Sequence, residues 1–289
     1  MPTRTSLTTP PYIAWRAPLL IKASVACHVG VGLAVAPNPS LWPWAVGAIA
    51  ANQALLTFAG LWPRCAWLGQ NLRQLPPAAM ARGEVALTFD DGPDPQVTPA
   101  LLDALQAADV RATFFCIAER ARAHPALCRS IVERGHSVQN HSDLHSVGFA
   151  LSGPAGFARE IGRAQETLAD ITGQRPQYFR APAGLRNPFL GPVLERLELH
   201  LVSWTRRGFD TVQARADQVV NRLTRRLAAG DILLLHDGNG ARSKLGKPVL
   251  LEALPALLKR LDSAGLRSVT LPEATRELKH SAPRAELQP

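Results

Sequence analysis

A chain of 289 residues, 46% hydrophobic and 19% charged, has the composition of a globular protein with a sizeable core, in one large α/β domain or two small ones. The net charge of +9 is unevenly placed: residues 1–83 contain no Asp or Glu and six basic residues, Arg4, Arg16, Lys22, Arg64, Arg73 and Arg82, so two thirds of the net charge sits there. That distribution suits a membrane segment with basic flanks and argues against a nucleic-acid surface, where cations would cluster on a folded domain.

The chain opens with two apolar runs. The first covers Ala17 to Ala36, interrupted by Lys22 and His28, and the second covers Leu41 to Trp62 without a charge. Pro37-Asn38-Pro39-Ser40 between them is a turn signal. Each run is near the roughly 20 residues that cross a bilayer as a helix. Trp15, Trp42, Trp44, Trp62 and Trp67 fall at or near the run ends, where interfacial aromatics belong. Residues 1–71 therefore read as a membrane-anchoring helical hairpin. Its basic residues lie outside the turn, which puts both ends on the cytoplasmic side of a bacterial-type inner membrane. A cleaved signal peptide over the first run is the competing reading, because Ala34-Val35-Ala36 fits a small-residue cleavage site. Against it, Pro37 would follow the cut directly and restrict Ala36, and the second run would go unexplained.

Residues 72–83, with Pro76-Pro77, read as a linker. Short β-rich runs then alternate with helical stretches. The strand candidates are Val85–Phe89, Ala112–Ile117, His136–Gln139, Gln177–Arg180, His200–Trp204, Asp231–Leu235 and Arg267–Leu271. The helical candidates are Thr98–Ala107, Pro125–Glu133, Gly156–Ile171, Pro188–Leu197, Ala214–Ala228 and Leu250–Ala264. That alternation predicts βαβ units, hence an α/β domain over residues 84–272: a deformed (β/α) barrel of about seven strands, preceded by two hydrophobic helices. Residues 273–289 read as a flexible polar tail. The four cysteines have no CxxC or framework spacing; Cys27 and Cys116 read as small buried hydrophobes, which neither requires nor excludes an oxidising compartment.

The polar residues gather at strand ends. Thr88-Phe89-Asp90-Asp91-Gly92-Pro93 follows an apolar strand, and adjacent carboxylates can divide labour, one holding a metal and the other acting as a base. Asp-Gly-Pro by itself is equally a plain turn. His141-Ser142-Asp143-Leu144-His145 also follows a strand; histidines four apart lie on one face of a helical turn and, with a carboxylate, form a ligand set that leaves positions open for water and substrate. Three more strand ends carry Phe179-Arg180-Ala181-Pro182-Ala183-Gly184, Ser203-Trp204-Thr205-Arg206-Arg207-Gly208-Phe209-Asp210, and Leu233-Leu234-Leu235-His236-Asp237. A lone strand-end histidine is usually a structural hydrogen-bonding residue. Five polar strand ends converging on one rim are not explained as surface decoration.

In this order the motifs resemble those of the NodB-homology polysaccharide deacetylases, carbohydrate esterase family four, from Glu84 to about Leu271. The resemblance implies a deformed barrel with one divalent metal, zinc being the expected one. It implies Asp90 as general base, with Asp91, His141 and His145 as metal ligands. Arg180 would orient the base, Asp210 would tune His236, and His236 would be the general acid. Pro182, Ala183, Trp204 and Leu234 are the implied oxyanion and substrate contacts, the Ala183 N–H holding the oxyanion. The implied reaction is metal-dependent hydrolysis of the N-acyl amide of an acylated amino sugar. The implied partners are that sugar and the bilayer, with no nucleic acid; nothing in the chain fixes an oligomeric state.

The chain departs from the family pattern in the substrate region. Ala183 stands where an aromatic is common, Thr211 follows Asp210 where Trp is common, and Arg206-Arg207 replace an acidic segment. Together with Arg242, Lys244 and Lys247 in a glycine-bearing loop, these point to a lipid-phosphate-linked amino sugar, as used by the family's aminoarabinose-lipid deformylases. A membrane-tethered, non-catalytic carbohydrate-binding module on the same fold is the alternative, and the complete polar set argues against it. A glycosidase would need two carboxylates roughly 5–10 Å apart, whereas Asp90 and Asp91 are adjacent.

Overall fold

The computed structural model describes residues 15–276. The Arg4 flank of the hairpin and the tail beyond residue 276 lie outside them. Helices α1 (Leu19–Val35) and α2 (Trp42–Leu61) form the expected hairpin, joined through a 3₁₀ turn at Pro39–Leu41. The segment Pro39–Leu61 is apolar and long enough to cross a membrane; α1, at 17 residues, is shorter. Leu19, Val25, Val29, Leu33, Trp44, Val46, Leu55 and Phe58 are exposed on the pair, so its outer surface is apolar. One polar pair lies in the seam, where Asn52 Nδ2 donates to the buried Ser24 Oγ at 2.9 Å, while Gln53 Nε2 meets His28 Nε2 at 3.4 Å on the exposed side. Small and polar residues between two apolar helices are the packing expected in lipid. Cys27 is half-buried there, more open than expected, because only the seam between the helices is covered; all four cysteines are unpaired.

The segment expected as a linker is folded. It holds a short helix, α3 (Pro77–Ala81), and Leu72, which exchanges backbone hydrogen bonds with Leu201 and Ser203. The elements of the α/β domain follow as β1 (Glu84–Asp90), α4 (Thr98–Ala107), β2 (Ala112–Cys116), α5 (Ala118–Ala123), α6 (Pro125–Glu133), β3 (Ser137–Asn140), α7 (Pro154–Thr172) and β4 (Tyr178–Phe179). Then come α8 (Leu190–Arg196), β5 (His200–Leu201), β6 (Arg206–Arg207), α9 (Ala216–Thr224), β7 (Ile232–His236), α10 (Val249–Ser263), β8 (Arg267–Ser268) and α11 (Leu271–Ala274). The domain runs past the expected boundary at residue 272: Thr270 and Glu273 form a capping box at α11, and Thr275 is buried against the Tyr178 hydroxyl.

Seven strands run in the order β5-β4-β3-β2-β1-β7-β6, all pairs parallel, and β8 pairs with the start of β1. No ladder joins β5 to β6, so the barrel is open on that side. Strand alternation builds two layers. On β1, Val85, Leu87 and Phe89 face the helices, in the core with α4, α9 and α10. Ala86 faces the barrel interior with Phe115, Ile232 and Leu234, and the same parity carries Thr88 and Asp90 inward.

Candidate active site

Each reactive side chain sits at the C-terminal end of a parallel strand. Asp90 ends β1 and His236 ends β7, where they are register partners. Asp91 follows in a left-handed conformation (φ 69). His141 directly follows β3, and Arg180 follows β4. Asp210 lies beyond β6 and reaches back to β7.

Asp90 is held by Arg180. The Arg180 Nη1 donates to Asp90 Oδ1 at 2.6 Å and to Thr88 Oγ1 at 2.9 Å, and Nη2 donates to the Ser203 carbonyl at 3.1 Å. Its guanidinium carbon lies 4.1 Å from the centre of the Phe115 ring. The side chain is fully buried, and burial pulls its pKa below the ordinary arginine value although Asp90 opposes that pull. An unpaired buried guanidinium would be strongly destabilising, so the pair is kept by its geometry. Thr88 and Ser203 were not anticipated as its supports; the inward parity of Thr88 on β1 is the signal that could have marked it.

Asp91, His141 and His145 converge so that their ligand atoms lie within 4.8 Å of one another. The Asp91 Oδ1 is 3.3 Å from His141 Nε2 and 3.2 Å from His145 Nε2. The two histidines do not share a helical turn, as their spacing suggested. They lie on an irregular loop in which Ser142 (φ 69) and His145 (φ 52) are left-handed, pinned by Ser142 N–H on Asn140 Oδ1 and His145 N–H on Ser142 Oγ. His141 Nδ1 donates to the Arg180 carbonyl at 2.8 Å, which leaves Nε2 as an acceptor facing the carboxylate. Burial raises the Asp91 pKa, but the close approach of His141 and the charges of His141, His145 and His236 outweigh it and hold the carboxyl well below the usual range. Asp91 Oδ1 is nevertheless buried without a hydrogen-bond donor. A carboxylate oxygen and two imidazole nitrogens with that orphaned acceptor fit a divalent cation. Asn239 Nδ2 donates to Asp91 Oδ2 at 3.1 Å, a support the sequence did not mark.

His236 is oriented twice by Asp210: its backbone N–H donates to Oδ2 at 2.7 Å and its Nδ1 donates to Oδ1 at 2.9 Å. Burial lowers its pKa, but the Asp210 hydrogen bond and the charges of Asp210, Asp90 and Asp91 raise it above the ordinary imidazole value. The neighbouring Asp237, fully buried with one oxygen on Thr98, is pushed up to about 7 by burial.

These groups open into one cavity of about 140 Å³, lined by Asp90, Asp91, His141, His145, Ala183, Gly184, Trp204, Arg207, Thr211, Leu234 and His236. It is smaller than a typical ligand pocket, so it suits an acyl group, with the rest of a larger substrate lying outside. Of the expected contacts, Ala183, Trp204 and Leu234 line it, while Pro182 is buried and does not. Arg207, Thr211 and Gly184 line it in addition. Arg206 turns away onto Asp231, and Arg242 is committed to Gln96 and the Gly246 carbonyl. Lys244 and Lys247 are exposed outside the lining, so the basic loop does not form a cradle at this cavity.

The hairpin reaches this cavity. At Gly184 (φ 74) a Cβ would lie 2.7 Å from both Pro63 and Trp204. The Gly60 carbonyl accepts from the Arg186 N–H at 3.2 Å, and a Cβ on Gly60 would lie 2.2 Å from the Arg186 carbonyl oxygen. The Arg186 guanidinium donates to the Cys65 carbonyl, and Arg64 donates to that of Thr205. The end of α2 is thus packed directly behind the Pro182–Gly184 turn.

Residues 78–202 match the family model for polysaccharide deacetylases. A peptidoglycan-N-acetylglucosamine deacetylase from Bacillus cereus is 31% identical over 193 residues, which cover 66% of this chain and 68% of the relative. A chitooligosaccharide deacetylase from Azorhizobium caulinodans is 34% identical over 160 residues, covering 54% of this chain and 75% of the relative. Among solved structures, a peptidoglycan N-acetylglucosamine deacetylase superimposes with a TM-score of 0.64 at 28% identity, over 71% of this chain and 92% of that one. A family 4 carbohydrate esterase from Streptomyces lividans, solved with acetate, superimposes with a TM-score of 0.58 at 35% identity, over 64% and 91%.

Proposed function

The chain belongs to the polysaccharide deacetylase family, and from that premise we propose that it hydrolyses the N-acyl amide of an acylated amino sugar with the help of one divalent metal. The observation that carries this reading is the pairing of an oriented carboxylate, Asp90, with an oriented imidazole, His236, beside a convergent Asp-His-His set.

Asp91, His141 and His145 would hold the ion, and two imidazoles with one carboxylate suit zinc. When bound, such an ion supplies Lewis-acid polarisation of the acyl carbonyl and acidifies water at neutral pH. Asp90 takes the proton of the attacking water, and Arg180 fixes the oxygen that does not receive it. The Ala183 N–H, the oxyanion donor that the family resemblance implies, would hold the developing oxyanion, and the N–H groups of Gly184 and Leu185 beside it are committed to the Ala181 and Pro182 carbonyls. His236, whose imidazolium is favoured by Asp210, gives its proton to the departing amine from Nε2. Trp204 and Leu234 wall the acyl group.

The hairpin makes the enzyme a membrane protein in this reading. Basic residues at both outer ends support a cytoplasmic position for the catalytic domain at an inner membrane. Because the end of α2 is packed behind the cavity wall, the site lies close to the bilayer surface, which favours a lipid-linked sugar as substrate.

The test is incubation of the purified full-length protein, metal-loaded, with acetylated chitooligosaccharides and with lipid-linked acylated amino sugars. Mass spectrometry should show loss of an acyl group and release of the acid, abolished by chelation. Unchanged masses across both substrate sets would defeat the reading.

A further inference from the structure

Arg206 and Arg207 are neighbours on β6 with opposite fates. Successive residues on a strand point to opposite faces. Arg206 points away from the barrel, and its guanidinium is committed to the Asp231 carboxylate and the Arg225 and Arg226 carbonyls. Arg207 is the register partner of Leu234, whose side chain lines the cavity, and Arg207 lines it too.

Its guanidinium carbon lies 5.6 Å from the centre of the Trp204 ring and 4.9 Å from that of Phe209. Its Nε is buried without a hydrogen-bond partner, and among the described residues its side chain makes no ion pair or hydrogen bond. Arg180 is committed to Asp90, Arg120 to the Asp91 carbonyl and Asn239, and Arg122 to Asp143 and Thr167, while the exposed Arg222 lies over the same Phe209 ring at 5.3 Å.

A guanidinium does not lose its charge in a protein, so Arg207 brings a permanent cation to a cavity built to hold another. For a neutral acylated sugar that placement is unfavourable, since it repels the metal and leaves donors unmatched. It becomes favourable when the ligand carries a negative charge. The fork of a guanidinium matches phosphate or carboxylate in bidentate fashion, and the aromatic contacts already restrict the side chain, so little freedom is lost on binding.

We propose that Arg207 receives an anionic group, phosphate or carboxylate, carried by the acylated amino sugar next to its amide, and that it thereby selects negatively charged substrates. The proposal rests on the deacylase reading and narrows its substrate class. Arg207 is a specificity residue here: it takes no proton and breaks no bond.

Three probes separate the sources of charge: the neutral methyl glycoside of N-acetylglucosamine, N-acetylglucosamine 1-phosphate, and a disaccharide of N-acetylglucosamine with glucuronic acid. The full-length, metal-loaded enzyme should hydrolyse one anionic probe with kcat/KM about ten- to a hundredfold above the neutral one, the range of a charge-assisted hydrogen-bonded pair. Whichever anionic probe is preferred names the source. In Arg207→Gln the anionic-to-neutral ratio should fall to near one. Arg207→Lys should restore part of it, keeping the charge and losing the fork. A wild-type ratio near one for both anionic probes overturns the proposal. So does a preference that survives Arg207→Gln, because the anion would then be bound by the metal. If none of the probes is hydrolysed, the deacylase reading is decided by the larger substrates above. Calorimetric titration of N-acetylglucosamine 1-phosphate into wild type and Arg207→Gln then decides the present one: tighter binding by wild type supports it, and equal binding overturns it.

Discussion

Asp90 and His236 face each other as register partners across the parallel ladder of β1 and β7. Both side chains therefore leave the sheet on the same, inward side, and the ladder hydrogen bonds fix their spacing. Each also has its own buried counter-charge, Arg180 for Asp90 and Asp210 for His236. The base and the acid of the proposed mechanism therefore lie on adjacent strands with separate supports and can be altered independently.

Asp90→Asn is expected to retain metal and lose turnover by roughly 10²–10⁴-fold, the usual contribution of a general base. His236→Ala should lose a similar order. Single-turnover rates on an acetylated oligosaccharide, with metal content measured in parallel, check both. Full activity in either variant would remove it from the acid–base pair.

His141→Ala should lose the metal and the activity while the domain stays folded, since two of three ligands cannot hold the ion as tightly. Elemental analysis against circular dichroism is the measurement. One equivalent of metal per chain in that variant would rule out the Asp91-His141-His145 assignment.

The raised pKa of His236 sets the direction of a pH effect. Burial opposes the charge, but the Asp210 hydrogen bond and the nearby carboxylates prevail, so the imidazolium persists above the pH at which an ordinary histidine loses its proton. If protonated His236 is the acid, kcat should hold through that range and fall as pH rises through the raised value. Asp210→Asn removes the main opposing charge, so the alkaline limb should move to lower pH. A limb at the same pH in both proteins would assign it to another group.

The convergence of the candidate residues was legible because strand-end residues sit in contiguous motifs whose apolar parity shows which side chains point inward, as Ala86-Thr88-Asp90 and Ile232-Leu234-His236 do. The extents of α4 and α6 followed from their periodicity and an early proline. Less legible were features set by long-range contact. Residues 72–83 read as a linker because prolines dominate locally, yet Leu72 is bonded to the strand end at Leu201 and Ser203. The spacing of His141 and His145 suggested a helical turn, but hydrogen bonds from Asn140 and Ser142 set an irregular loop instead. Arg206 and Arg207 looked alike, and only strand parity separates them.

Membrane sidedness can be read directly. With basic residues Arg16 before the hairpin and Arg64, Arg73 and Arg82 after it, both ends should lie in the cytoplasm. A C-terminal alkaline phosphatase fusion is expected to be inactive and a fluorescent-protein fusion bright. Strong phosphatase activity would put the domain outside.

The contact between the hairpin and the Pro182–Gly184 turn makes a stricter demand than tethering. Arg186 joins the two: its N–H is on the Gly60 carbonyl and its guanidinium on that of Cys65. A Cβ at Gly60 would meet the Arg186 carbonyl at 2.2 Å, and backbone there cannot swing aside as a flexible side chain would. Gly60→Val should therefore push α2 off the loop that carries Ala183. Loss of an oxyanion donor is worth about 10²–10³-fold in kcat, and a displaced donor should forfeit at least tenfold of that. Metal content should be unchanged, because Asp91, His141 and His145 lie on other strand ends, and KM should change less than kcat. Gly47→Val is the control: it lies on the same helix with nothing within 4 Å of its added Cβ. If kcat falls only in Gly60→Val, the anchor is part of the active-site wall. If the two variants behave alike, the hairpin holds the enzyme at the membrane and contributes nothing to the turn.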